Sequence, residues 1–169
     1  TGAKFGVAVS NGTTALHTAV KAAGIVRGDE VIVSDMTFVA SANAVLYEGA
    51  TVVFADVNKA TMNIDVAHVK DLITPRTKAI IAVDMCGQPC DYDPLLAICR
   101  EHNLILIEDA AHAIGASYKG KKVGNIAHLT CLSFHPVKNI TTGEGGMVMT
   151  NDEKLYKRAC RVRSHGIDR

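Results

Sequence analysis

Tryptophan is absent from this chain, aromatic residues make up only 5% of it, and there are four prolines. An interior so poor in rings has to be built from Val, Ile, Leu and Ala. Hydrophobic residues at 48% supply enough of them to exclude an intrinsically disordered chain. An excess of either charge is missing too. Lys and Arg number 18 against 17 Asp and Glu, a net +1, so binding nucleic acid through phosphate attraction has little to work with. Apolar runs are a handful of residues long, against roughly 20 for a membrane-spanning helix. The five cysteines, Cys86, Cys90, Cys99, Cys131 and Cys160, are odd in number and lack paired spacing, which fits reduced thiols in the cytoplasm. Cys86 and Cys90 have no second pair to complete a zinc site, so no metal is expected.

What is present is a chain of 169 residues and 18.0 kDa, enough for one domain that buries roughly 70% of the surface its unfolded form exposes. Seven short runs read as strands: Val7–Ser10, Glu30–Asp35, Thr51–Val57, Ala79–Met85, Leu104–Asp109, Leu129–Phe134 and Gly146–Thr150. Helical spacing marks Thr13–Ala23, Phe38–Tyr47, Asp65–Ile73 and Asp93–His102 between the first five, and Asp152–His165 at the end. Strands apolar on both sides and separated by helices predict a doubly wound α/β domain, a mostly parallel seven-stranded sheet with helices on both faces. No internal repeat or linker interrupts it. Two connections break the rhythm: the glycine-containing stretch Ala110–His128 and the polar loop Pro136–Gly145.

Ligands of open α/β sheets gather beyond the carboxyl ends of the strands, so the residues just after each strand are read as one set. After the first strand, Ser10-Asn-Gly-Thr-Thr runs straight into a helix. Backbone N–H groups at a helix start cradle phosphate, with Gly12, Thr13 and Thr14 as contacts; an ordinary N-cap uses the same residues. After the second strand, Phe38 is an aromatic for the same cleft or a core residue. The fifth strand ends in Glu108 and Asp109, whose side chains alternate, so only one enters the cleft. After the sixth comes Ser133-Phe-His-Pro-Val-Lys138, where Pro136 stops the strand and Gly143, Gly145 and Gly146 fold the chain back tightly. Lys138 would thereby be presented to the cleft on a constrained loop. A phosphate cradle, an aromatic, a strand-end acid and a lysine together match the needs of pyridoxal phosphate.

On these residues the chain resembles the DegT/DnrJ family of nucleotide-sugar aminotransferases, which have the type I aminotransferase fold. The matching stretches are Asn11-Gly-Thr-Thr-Ala-Leu, Asp35-Met-Thr-Phe-Val-Ala, Gly87-Gln-Pro, Glu108-Asp-Ala-Ala-His and Ser133-Phe-His-Pro-Val-Lys-Asn-Ile-Thr-Thr-Gly-Glu-Gly-Gly. The last looks most like the branch serving pseudaminic-acid synthesis, which aminates a UDP-linked 4-keto-6-deoxy-N-acetylhexosamine. The resemblance implies pyridoxal phosphate as cofactor and L-glutamate as amino donor. Catalytic roles fall to Lys138, the Schiff-base lysine, and Asp109, the acid paired with the pyridine nitrogen. It also implies that Thr13 and Thr14 with Ser133 hold the phosphate, that Phe38 stacks on the ring and that His112 lies near the 3-hydroxyl. Family members are commonly about twice this long and act as homodimers. Residues 1–169 are therefore expected to be most of the large cofactor-binding domain, without the small C-terminal domain and without a leading segment. Two other functions share these motifs. One is a sugar dehydratase of the same fold, in which His replaces the lysine, and His135 stands near Lys138. The other is a cofactor-binding domain without turnover.

Overall fold

The computed structural model describes residues 1–167. In chain order its elements are β1 (Phe5–Val9), α1 (Gly12–Ala22), β2 (Glu30–Ser34), α2 (Ala40–Tyr47), β3 (Thr51–Ala55), α3 (Val66–Asp71), β4 (Thr77–Val83), α4 (Tyr92–His102), β5 (Ile105–Asp109), β6 (Ser117–Tyr118), β7 (Lys121–Lys122), β8 (Leu129–Ser133), β9 (Gly146–Thr150) and α5 (Glu153–Arg163). All seven expected strands join one sheet in the order β1-β9-β8-β5-β4-β2-β3. β3, β2, β4, β5 and β8 are mutually parallel. β9 alone runs the other way, antiparallel to both β8 and β1. Two reversals restore direction, so β1 points the same way as β8.

The central strands are buried along almost their whole length, which is why they read as continuous apolar runs and not as alternating ones. Alternation separates their two faces. Val31, Val33, Ala79, Ile81, Ile107 and Leu129 pack with α1, α2 and α5. Ile32, Ile80, Ala82 and Leu106 pack with α3 and α4. Helices thus cover both faces, as the segment order predicts.

Differences from the sequence reading are local. The fourth strand stops at Val83, and Met85–Gly87 forms a single 3-10 turn. The turn is forced by left-handed backbone at Cys86 (φ 53°) and Gly87 (φ 87°), which no strand tolerates. The third strand ends at Ala55, and only an isolated bridge, Val57 to Ile64, continues the pairing. The second helix begins at Ala40, so Phe38 precedes it in the loop. Within Ala110–His128 a small hairpin, β6 with β7, turns at Lys119 and Gly120, both at positive φ.

Candidate functional site

Because β1 and β8 point the same way, the chain leaving β1 reaches α1 beside the end of β8. Asn11 caps α1: its side-chain oxygen accepts from the Thr14 amide at 2.8 Å, and Thr14 Oγ1 accepts from the Asn11 amide at 3.1 Å. Thr14 Oγ1 also donates to the Asn11 carbonyl at 2.8 Å, so its hydroxyl is committed to the cap. This is a helix start in contact with two strand ends. A Cβ on Gly12 would stand 2.8 Å from Ser133 Cβ, and one on Gly146 would stand 2.3 Å from the Asn11 carbonyl oxygen. Only glycine allows so close an approach.

Next to this junction lies a cavity of about 440 Å³. Gly12, Thr13 and Ser133 line one end of it, and Asp109 and His112 line it from the end of β5. The positive end of the α1 dipole makes the first end suited to an anion.

Asp109 is the inward member of the carboxylate pair, placed on the α1 and α2 face by the alternation that also points Ile107 there. It is 5% exposed, and its Oδ2 accepts from Ser41 Oγ of α2 at 2.7 Å. Oδ1 accepts from the Ala111 amide at 3.2 Å. Burial pushes this carboxyl above the ordinary aspartate range, while the bonds from Ser41 and Ala111 and the nearby His112 and Lys138 pull it down. Burial, with Lys138 close by, lowers His112 below the ordinary histidine range, so the imidazole is neutral at pH 7. Glu108 points to the opposite face, where it is fully buried and accepts from Thr130 Oγ1.

Lys138 is half-buried and lines the cavity. The loop that carries it is closed on itself. The Phe134 amide donates to the Gly145 carbonyl at 2.8 Å, the Thr142 amide donates to the Phe134 carbonyl at 3.1 Å, and the Lys138 amide donates to the His135 carbonyl at 2.9 Å. Phe38 stands at the mouth, 71% exposed and in contact with the cavity. It is not a core residue.

The structure therefore brings Gly12, Thr13, Phe38, Asp109, His112, Ser133 and Lys138 to one cavity and turns the Thr14 side chain back into the cap. His135, noted beside Lys138 in the sequence, lines it too, and sequence reasoning missed Asn11, Thr37 and Glu144, which also line it, and Ser41 behind Asp109. Thr37 lies in the loop before α2 and Ser41 in its first turn, and their hydroxyls are 2.7 Å apart. Among the described residues no cluster of three or more His, Cys, Asp or Glu is gathered that could hold a metal ion.

A sheet of this topology whose crevice joins a helix start, a buried acid and a lysine defines a class of cofactor-binding α/β domain, and comparison with known proteins gives the family. The chain belongs to the DegT/DnrJ/EryC1/StrS aminotransferase family, whose pattern matches residues 1–169. It is 53% identical over 167 residues to GDP-perosamine synthase of Caulobacter vibrioides, covering 99% of this chain and 45% of that protein. It is 46% identical to UDP-N-acetyl-3-dehydro-alpha-D-glucosamine 3-aminotransferase of Acidithiobacillus ferrooxidans, covering 98% of this chain and 45% of that one. Among solved structures, an aminotransferase from Psychrobacter cryohalolentis superposes with a TM-score of 0.95 at 47% identity, over 97% of this chain and 42% of that one. PseC of Helicobacter pylori, an aminotransferase in the biosynthesis of pseudaminic acid, superposes at 0.92 and 38%, over 99% and 46%. Spr1654 of Streptococcus pneumoniae, solved in a PLP form, superposes at 0.90 and 34%, over 97% and 47%. The chain spans less than half the length of the curated relatives it matches.

Proposed function

We propose that the protein to which this chain belongs is a pyridoxal-phosphate-dependent aminotransferase acting on a nucleotide-linked keto-sugar, and that residues 1–169 are its large, cofactor-binding domain. The observation that carries this reading is the meeting of Lys138, Asp109 and the α1 start on one cavity. The donor set fits the cofactor on three counts. An anion end is built with glycines so tightly packed that a Cβ would collide, a buried carboxyl stands at the strand end, and a primary amine on a closed loop lines the same cavity.

Gly12, Thr13 and Ser133 would hold the phosphate, with the α1 cap formed by Thr14 keeping those amides in place. Phe38 would lie against the ring. Bound there, pyridoxal phosphate supplies an aldehyde that condenses with amines and a pyridine ring that takes up the electron pair released when a neighbouring C–H bond breaks. Asp109, whose charged form the bonds from Ser41 and the Ala111 amide favour against burial, would hold a proton on the pyridine nitrogen. Lys138 Nζ would hold the aldehyde carbon at rest and, once displaced by the amino donor, carry the proton to and from the reacting carbon. His112, neutral, would donate one hydrogen bond at the cofactor's edge.

L-glutamate as donor and a UDP-linked 4-keto-6-deoxy-N-acetylhexosamine as acceptor complete the proposal, together with a homodimer in the cytoplasm. Supporting the dimer are Phe38, Val39, Val137 and Ile140, apolar side chains more than half exposed, of which Phe38 and Val137 line the cavity. The cofactor reading is tested by adding pyridoxal phosphate to this chain and reducing with borohydride. The expected result is a visible absorption band before reduction and a covalent adduct on Lys138 after it, both lost in Lys138→Ala; an adduct on another lysine overturns it. The substrate is tested with the full-length protein, glutamate, and UDP- and GDP-linked 4-keto sugars side by side. Faster amination of the GDP sugar refutes the UDP assignment.

A further inference from the structure

We propose that Ser41, relayed by Thr37, is a positioning residue that holds the Asp109 carboxyl ionised and oriented toward the cofactor; this rests on the reading above, in which Asp109 meets the pyridine nitrogen. Ser41 is fully buried in the first turn of α2, and its hydroxyl sits 2.7 Å from Asp109 Oδ2 and 2.7 Å from Thr37 Oγ1. A serine hydroxyl has one proton. The carboxylate can only accept, so that proton goes to Asp109. Thr37 must then be the donor to Ser41, which fixes the whole chain's direction: Thr37 to Ser41 to Asp109. Hydrogen bonds aligned in this way polarise one another, and the last donor is strengthened.

The arrangement also settles which oxygen does what. Oδ2 is turned toward α2 by Ser41, and Oδ1 receives only the longer 3.2 Å bond from the Ala111 amide. The oxygen less tightly held is the one left with capacity for a donor in the cavity. No arginine supplies Asp109 with a partner among the described residues. The charged and titratable groups facing it are His112 and Lys138 on the cavity side, while Cys131 of β8 is its neighbour in the sheet register. Burial keeps the Cys131 thiol protonated. Glu108 and Asp84 lie on the other face of the sheet. Hydroxyls therefore do here what an ion pair does elsewhere: they favour the charged form of a carboxyl that burial disfavours. Thr37 lines the cavity, so the relay begins at a surface the ligand touches and ends at the acid.

The test reads the acid directly, in the chain without cofactor, by carbon-detected NMR titration of the Asp109 carboxyl. Ser41→Ala should raise its midpoint by about one pH unit, since it removes a bond to the charged form. Thr37→Val should raise it by less, and should add nothing in a Ser41→Ala background. Ser41→Cys, which keeps a weak donor, should fall between. Alanine suits a helix at least as well as serine, so the variants should fold, and thermal melts confirm it. An unchanged or lowered midpoint in folded Ser41→Ala overturns the proposal. Loading with pyridoxal phosphate separates the two readings. If the chain takes up cofactor on Lys138 but the Asp109 midpoint ignores Ser41, the relay is wrong and the function stands. If the midpoint shifts as stated and no cofactor binds, the relay stands and the function falls.

Discussion

Gly146→Ala is the sharpest test of how the anion end of the cavity is built. Gly146 opens β9 and is paired with Val9 of β1 and Ser133 of β8. A methyl added there would lie 2.3 Å from the Asn11 carbonyl oxygen, 2.5 Å from its carbon and 3.0 Å from the Gly12 nitrogen, all backbone atoms. The same carbonyl accepts the first helical bond of α1, from the Ala15 amide at 3.0 Å, and the Thr14 hydroxyl at 2.8 Å. Relief of the clash therefore means moving the cap. Overpacking costs about 1–3 kcal/mol and loss of an N-cap about 1 kcal/mol, so a loss of about 2–4 kcal/mol is expected. For a chain of this size that is a drop in melting temperature of roughly 5–15 °C. Gly6→Ala is the control. Its Cβ would meet the Met147 and Met149 sulfurs at 3.0 and 3.2 Å, the ends of flexible side chains that can move aside, and its cost should stay under about 1 kcal/mol. Both variants are read by circular-dichroism melts and by titration with pyridoxal phosphate, where Gly146→Ala should also weaken binding. If Gly146→Ala melts with Gly6→Ala, the junction is soft and glycine is not what shapes it.

The remaining expectations concern the far face of the sheet and the mouth. Asp84 and Glu108 are both fully buried, each with one oxygen lacking a partner, and burial raises both above the ordinary carboxylate range. The folded chain then holds a proton that the unfolded chain releases above about pH 4, so stability falls as pH rises from there toward the raised folded value. Asp84→Asn keeps an acceptor for Tyr92 Oη at 2.6 Å and the Cys90 amide at 2.9 Å and adds an N–H for Glu108. Urea unfolding at a series of pH values should show the variant more stable than the parent in mildly alkaline buffer and flatter across the window; a parent already flat there refutes the shared proton. Phe38→Ala should leave the melting temperature nearly unchanged, because the ring is 71% exposed. It should nonetheless lower affinity for pyridoxal phosphate several-fold in an absorbance titration, and equal affinity removes Phe38 from the site.

Much of this was legible because it depends on local pattern. Seven apolar runs separated by helical spacing fix the layers. Strand alternation limits the cleft to one of Glu108 and Asp109, and the structure selects Asp109 because it shares a face with Ile107, against α1 and α2. The direction of β9 was also readable in principle: the loop Pro136–Gly145 is too short for the crossover that a parallel neighbour requires. The Thr14 side chain was harder. A threonine in the first turn can face a ligand or complete a capping box, and its local sequence suits both. Ser41 could not be read at all, because its partner is 68 residues away and nothing in an alanine-rich helix marks one hydroxyl as aimed at an acid. The 3-10 turn at Met85 escaped for a similar reason. A Cβ at Gly87 would meet the His112 carbonyl oxygen at 2.9 Å, and that constraint comes from the turn after β5.

The single reversed strand explains why the cavity has two differently made ends. Were β9 parallel to its neighbours, Gly146 would begin at the opposite edge of the sheet, and no glycine would lie beneath the Asn11 carbonyl. Reversal puts the start of β9 beside the end of β8, so backbone from three segments, the α1 cap, Ser133 and Gly146, meets within van der Waals contact at the anion end. The acid end owes nothing to that reversal. Asp109 is set by the parallel core, with its backbone carbonyl held by the Asp84 amide at 3.1 Å and its side chain by α2. Lys138 belongs to the short connection the reversal makes possible, since a long crossover helix would carry it away from the crevice. The amine and the anion cradle are thus consequences of one topological choice, whereas the acid is inherited from the parallel sheet itself. A chemistry that needs all three in one place requires both.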